Sequence, residues 1–450
     1  MAVEVSQEFD AMKKLSDEIS SDIEKNVFNK DKLLGIIGDN IAKLENLNKT
    51  IDFQLPVAEE KEKEKSKEIK DKIQAIYSQA KEKIESVKDN KDEMFKIFVD
   101  NLVEVKFFKK EVELYQKSNS IAITLNSYYI YCYSIFDSFI NELLRYIFIE
   151  NNDYLKSDEK SISHSKILSI GNHDKIITYI INKDIEDIQR KSYIKQFLLF
   201  EKMFELPLRK FENWSKFVEN SQRRNIIVHC NGIVSEQYIS VCKENNVDVE
   251  DNILGQQLKV DKNYLMETIE LLTEIIFKLG QTLWRKIFPE QMKEADIYLA
   301  NYIYNLLQNK NYKLSLTIGD FGVKLPKYFN DLTKRPILVN YAIALRETNE
   351  VKELNSLLDR FDWSSTIDDF KVAYSVLKED YNSAYRLLRK IGKVGEFISE
   401  SAYLAWPLFI PLREKPEFQT LFEEVYGKSI EAALKDGFEK SIDENIDITA

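Results

Sequence analysis

The segment NSQRRNIIVHCNG, Asn220 to Gly232, brings together side chains that can manage charge at a reacting phosphate. Arginine is a permanent planar cation, and histidine changes protonation near neutral pH. The chain has three histidines, and one of them, His229, follows Asn225 by four positions and Arg224 by five. On a helix, four positions amount to about 40° of rotation, which puts Asn225 and His229 on one face. Five positions amount to about 140° and roughly 7.5 Å of rise, so Arg224 stands to the side and reaches toward whatever His229 touches. A proton-transferring group and a fixed cation around a phosphate-sized gap are what metal-free phosphodiester cleavage needs. The same residues have a structural reading too, in which Arg224 forms an ion pair inside a bundle and His229 is a satisfied core histidine.

Positioning these groups requires a helix, and the flanking pattern supplies one. Phe211, Trp214 and Val218 recur at spacings of three and four, and the stripe continues through Ser221 or Gln222, Asn225, Val228 and His229. An apolar stripe that turns polar where the arginines lie needs partners, because a buried polar group left unpaired costs about 1–3 kcal/mol. The expected helix spans 208–231, with "IIV" as packing and Gly232 in the position of a C-terminal cap. Three more helices complete a four-helix bundle over 111–290. The first carries Leu125, Tyr129, Cys132, Phe136, Phe139 and Leu143; the second covers 175–205, broken or bent near 184–190; the last runs from Asp261, an N-cap, to Lys286. A polar loop with His164 and His173 follows the first helix, and a loop with Gly255 precedes the last. The two loop histidines have no carboxylate or thiol at metal-ligand spacing, so no metal and no cofactor is expected.

Composition narrows the rest. Hydrophobic residues make up 44% and charged residues 31%, with 12 Gly and 8 Pro, a balance that points to an all-α protein rather than to one rich in β-turns. The net charge is −11, so a nucleic acid has to be met at a local patch. Residues 183–224 hold ten Lys or Arg against seven Asp or Glu, and Arg223, Arg190 and Lys191 are the weaker RNA-contacting candidates there. Cys132, Cys230 and Cys242 are odd in number and lack CxxC spacing, which fits a reducing cytoplasm. The longest apolar run, IAITLNSYYIYCYSIFDSFI, is interrupted by Asn126, Ser127, Ser134 and Asp137, so it reads as a buried helix and no membrane association is expected. No phosphate loop, GxSxG or HExxH motif occurs.

Residues 1–110 read as a helical arm. Met12, Leu15, Ile19 and Ile23, then Leu34 to Ile51, recur at helical spacing, and Pro56 interrupts the pattern before Ile69, Ile73, Ile76, Ile84 and Val87 resume it. A helical hairpin or antiparallel coiled coil is expected, with the Lys/Glu run EEKEKEKSKEIKDK as a solvated face. In 291–450, LQNKNYKLSL, LRETNEVKELNSLL and LKEDYNSAYRLL begin at Leu307, Leu345 and Leu377. Their spacing brackets the roughly 34 residues of a tetratricopeptide repeat. The closing AYLAWPLFIPLREKPEFQTLFEEVYG resembles the terminal unit of such arrays, and an acidic tail follows. A helical solenoid is expected there, and its concave face is where a protein partner would bind.

Residues 118–288 resemble the HEPN (higher eukaryote and prokaryote nucleotide-binding) domain family. The resemblance rests on Arg224, Asn225, "IIV" and His229 near the end of a core helix. YSIFDSFINELLRYIF (133–148) looks like that family's first helix, and NILGQQLKVDKNYLMETIELL (252–272) like the loop and last helix after the motif. The resemblance implies a metal-independent endoribonuclease of bacterial antiviral defence, abortive infection or toxin type. Two bundles would form a homodimer whose paired Arg and His residues line one cleft. It implies His229 as general base or acid, Arg224 as the group that stabilises the phosphorane, and Asn225 as the residue that orients the site. Either Asp137 or Glu142 would pair with an arginine or orient the histidine. A reading of another class keeps the bundle only for dimerisation, in an all-helical adaptor whose repeats bind proteins.

Overall fold

The computed structural model describes residues 33–87, 89–118, 120–151 and 162–436. The apolar stripe from Met12 to Ile23 and the acidic tail from residue 437 lie outside them. The described residues are all-helical, and their pairing outside helices is an isolated antiparallel bridge between Ile233 and Gln257. None of the described helices is long and apolar enough to cross a membrane. The chain divides into two compact units, Met1–Phe277 and Lys278–Ala450.

In the first unit, α1 runs from Leu33 to Ser86 without a break. Leu33, Ile36, Ile37, Ile41, Leu44, Leu47, Ile51 and Leu55 recur at three and four and are all buried. The interruption expected at Pro56 is therefore absent. Proline removes one helical N–H and so frees the carbonyl of the residue four before it. Here that residue is Asp52, and both Asp52 and Pro56 lie on the exposed face, where water can take the freed carbonyl. The first half of α1 packs on α3 (Ser120–Glu150), and its second half pairs with α2 (Lys91–Ser118). The Lys/Glu run stands in solvent as a helix face, with Lys72 and Glu68 in contact at 2.6 Å.

The expected second segment is broken after Gln189 into α5 (His173–Gln189) and α6 (Tyr193–Phe204), and it follows a short α4 (His164–Ile170). His164 and His173 are exposed first residues of α4 and α5 rather than loop residues. Next come α7 (Trp214–Cys230), α8 (Glu236–Glu244) and α9 (Lys262–Ile287). Asp261 caps α9 as expected, its side chain accepting from the Tyr264 N–H at 2.8 Å.

The second unit is a run of helix pairs: α10 (Met292–Gln308) with α11 (Tyr312–Val323), α12 (Asp331–Glu347) with α13 (Val351–Asp359), and α14 (Asp368–Leu377) with α15 (Tyr381–Ile391). The short α16 (Glu400–Ala405) and α17 (Pro416–Tyr426) follow, and a helical stretch over 430–436 ends the described residues. One turn recurs in the three pairs. Lys310, Asn349 and Glu379 adopt left-handed φ of 58°, 60° and 61°. The N–H of the next residue then returns to a carbonyl of the first helix, from Asn311 to Leu306, Glu350 to Leu345 and Asp380 to Ser375, at 2.8–2.9 Å. α11 crosses α12 closely because Gly319 and Gly322 have no side chain; a Cβ on Gly319 would lie 2.4 Å from the Tyr341 ring.

Candidate active site

The floor of the site is aromatic. Phe136 of α3, Tyr193 of α6 and Phe217 of α7 pack with ring centroids 5.5–5.7 Å apart. Above them α7 turns polar on its buried side, and Asn220 shows how that polarity is satisfied. It accepts from the Tyr133 hydroxyl at 2.8 Å and donates to Thr268 at 2.9 Å, while the Tyr129 hydroxyl closes on its carbonyl at 2.5 Å. Such a satisfied network fixes the rotation of α7 against α3 and α9.

Where α7 ends is set by Asn231 and Gly232, at φ 49° and 77°. The N–H groups of both return to the Ile226 carbonyl. A side chain at 232 would place its Cβ 2.7 Å from the Leu258 carbonyl oxygen, so glycine is required by close approach as well as by φ. Leu258 donates its N–H to the Gly232 carbonyl at 2.9 Å, and Ile226 packs with Val234, Tyr238, Ile239 and Cys242. Tyr238, Ile239 and Cys242 belong to α8, a helix absent from the four expected from the sequence. Its signals there are Ser235, whose hydroxyl accepts from the Tyr238 N–H at 3.2 Å, and the spacing of Tyr238, Ile239 and Cys242. Of the "IIV" triplet only Ile226 is fully buried, and Val228 is 43% exposed.

The two adjacent arginines have different surroundings. Arg223 Nε donates to Glu219 at 2.8 Å, and its guanidinium lies 4.0 Å from the centroid of the Tyr264 ring. Glu219 also accepts from the hydroxyls of Tyr238 and Tyr264, each at 2.7 Å. Burial first, and then the Glu219 carboxylate, push both phenols far above their ordinary pKa. Arg223 is therefore a structural ion pair and not a free phosphate ligand. The i,i+4 spacing of Glu219 and Arg223 is its signal in the sequence.

Arg224 is held more loosely. Its Nη2 lies 3.9 Å from Asp137 Oδ2 and its Nη1 donates to Asn225 Oδ1 at 3.2 Å. Its Nε–H is buried and meets no acceptor among the described residues. Asp137 accepts from the Tyr193 hydroxyl at 2.8 Å, and its carbonyl accepts from Gln189 at 2.9 Å. Burial raises the Asp137 pKa, against the Tyr193 hydrogen bond and the Arg224 charge. Glu142, the other acidic candidate, faces α1 instead. It accepts from Asn40 at 2.9 Å and from Ser138 at 2.8 Å, and Lys43 lies 3.8 Å away.

His229 is exposed on the last turn of α7, so it is not a core histidine. Asn225 shares its face but spends its side-chain oxygen on Arg224. The amide therefore orients the guanidinium, not the imidazole. Arg190 and Lys191 follow Gln189, which anchors Asp137, and both are exposed; Arg190 lies 3.6 Å from Glu186.

No known protein family, curated protein or solved structure matches this chain.

The chemistry therefore rests on the geometry alone. One end of α7 presents an exposed imidazole and a guanidinium oriented by Asp137 and Asn225 but with one donor unsatisfied among the described residues. Among those residues no group of three or more His, Cys, Asp or Glu could hold a metal ion. His173 lies 3.6 Å from Asp174, with both side chains exposed.

Proposed function

We propose that the chain is a metal-independent HEPN-type endoribonuclease acting in antiviral defence, with Arg224 and His229 as its catalytic pair and a homodimer as its working form. The observation that carries this reading is the contrast within the pair. His229 is open to solvent, and Arg224 keeps a buried N–H with no acceptor among the described residues. In the reaction His229 takes the proton of a ribose 2′-hydroxyl. The 2′-oxygen bonds to phosphorus, and Arg224 stabilises the negative phosphorane. The bond to the 5′-oxygen then breaks, that oxygen takes a proton from an imidazolium, and the products are a 2′,3′-cyclic phosphate and a 5′-hydroxyl. A second copy would supply the second imidazole, so that base and acid are different residues. Asp137 and Asn225 are positioning residues.

The test is incubation of the purified protein with a mixed-sequence RNA in excess EDTA, followed by analysis of the ends. Cyclic phosphate and 5′-hydroxyl ends that disappear in His229→Ala are expected. Cleavage that needs a divalent ion, or that survives in His229→Ala, would overturn the proposal. The adaptor reading has its own support in the Asp137–Arg224 contact, which is what a structural arginine makes. It predicts no cleavage by any form of the protein.

A further inference from the structure

The arm formed by α1 and α2 leaves a large apolar surface in solvent. On α2, Met94, Ile97 and Asn101 are half-buried, at the spacing of the side that meets α1. Phe95, Phe98, Val99, Leu102, Val103 and Phe107 occupy the rest of the circumference and are exposed, the three phenylalanines by 68%, 54% and 62%. Taking about 200 Å² for a whole phenylalanine and less for valine and leucine, these six leave about 600 Å² of apolar surface exposed. That is the upper end for the largest patch on a monomer, a size that marks an interaction site. Covering it on two copies buries about 1,200 Å², the lower edge of specific interfaces.

The order of residues along α2 identifies what covers it. Phe95, Val99, Val103 and Phe107 are spaced by four and read the same in either direction about residue 101. Asp92 and Lys110, both exposed and equally far from that centre, extend the series with opposite charges. In an antiparallel pair of α2 helices centred there, Phe95 of one copy comes level with Phe107 of the other, Val99 with Val103, and Asp92 with Lys110. A parallel pair would set each charge level with itself, and like charges across a contact select against it. Lys96 and Lys106 also come level in the antiparallel pair, but their long stems let both heads reach water. An anionic lipid surface fits less well, because the chain carries a net charge of −11.

We infer that α2 is a self-association surface, on which a second copy of this chain docks through its own α2, antiparallel about residue 101. The contact is isologous, the commonest form of association between identical chains. α2 ends at Ser118, just before α3 begins at Ser120, and Ser118 lies about 25 Å along the helix from the centre of the pair. The two copies therefore enter their bundles at points about 50 Å apart. Such a contact is separate from the shared cleft proposed above, and a chain that makes both assembles beyond a dimer. The inference is independent of the nuclease reading.

Cross-linking and sedimentation of the full-length protein test it. Asp92→Cys and Lys110→Cys are placed in one chain, where the two positions are about 27 Å apart along α2, beyond the reach of a short bis-maleimide. A cross-link between positions 92 and 110 is then a link between copies, and mass spectrometry of the peptides separates it from links at the exposed Cys230. That cross-link is expected, and Asp92→Cys alone should give no link between two copies of position 92. Val99→Glu with Val103→Glu sets four carboxylates at the centre of the contact and should weaken association by at least about tenfold in Kd. Its melting temperature should hold, because both valines are already exposed. A parent that stays monomeric at about 100 μM, where even weak specific pairs form, would overturn the inference, whether or not it binds anionic vesicles. So would unchanged association of the glutamate variant, or links between two copies of position 92 in place of links from 92 to 110.

Discussion

Arg223 and Arg224 are neighbours on one helix, and the difference between them separates structure from function more sharply than either does alone. The side chains of Arg223 and Glu219 are 18% and 17% exposed, and Glu219 takes hydrogen bonds from an arginine and two tyrosines. The side chains of Arg224 and Asp137 are 26% and 37% exposed, the charges are 3.9 Å apart, and one guanidinium N–H has no acceptor among the described residues. A cation tied to a carboxylate that two tyrosine hydroxyls also hold is committed to the fold. A cation held in place with one N–H unsatisfied among the described residues is the arrangement on which the proposed role of Arg224 rests, and His229 is exposed five residues further on.

That contrast can be broken at four points. The largest expected effect is on chemistry: Arg224→Ala is expected to lower RNA cleavage by about 10²–10³-fold, the range for loss of one transition-state donor. Its melting temperature should change little, since partly exposed pairs contribute about 0–1 kcal/mol. Equal losses of stability and activity would place Arg224 with Arg223. The next effect is on stability. Glu219→Ala leaves Arg223 and two tyrosine hydroxyls without their acceptor, and a loss of about 3 kcal/mol in urea unfolding is expected. A loss below about 1 kcal/mol would show that the node is solvated. A smaller effect lies in pH dependence. Burial raises the Asp137 pKa, so the folded chain holds that proton more tightly than the unfolded chain. The stability associated with that proton is present at low pH and is lost as pH rises from about 4 through the raised folded value. Asp137→Asn, which cannot ionise, should therefore gain on the parent between about pH 4 and pH 7. A melting difference that stays constant across that interval would refute the burial effect. The smallest effect belongs to Arg190→Ala with Lys191→Ala, where stability should shift by no more than about 0.5 kcal/mol. A modest rise in KM for RNA with unchanged kcat is expected, and an unchanged KM would remove both residues from the substrate path.

Much of the architecture is legible in the sequence because it depends on local patterns. The stripes of α3 and α9, the N-cap at Asp261 and the stop at Gly232 are properties of a few neighbouring residues. Pro56 misleads because helix breaking depends on whether the freed carbonyl can reach water, and that depends on which face of α1 is covered. α8 escapes notice because it is short and follows a glycine turn, which outweighs its capping serine. At the site, spacing identifies Arg224, Asn225 and His229 but not their relations. Whether Asp137 or Glu142 serves the arginine depends on how α1 and α6 pack on α3, since Asn40 draws Glu142 one way and Tyr193 holds Asp137 the other. The role of Arg223 is within reach, because Glu219 sits four residues before it.

The repeated turn at Lys310, Asn349 and Glu379 has a kinetic consequence. Each turn joins two helices adjacent in sequence, so the contacts it fixes are local and cost little loop-closure entropy. Chains dominated by such contacts fold quickly, and an array of similar pairs can begin folding at any of them. None of the three turn residues is glycine, however, and Lys310 and Glu379 are held in a conformation costing about 1–2 kcal/mol for an ordinary side chain, while Asn349 is of a type that adopts it more readily. Each pair should therefore form late in its own turn and early in its helices, with the left-handed residue the last to settle and the first to release.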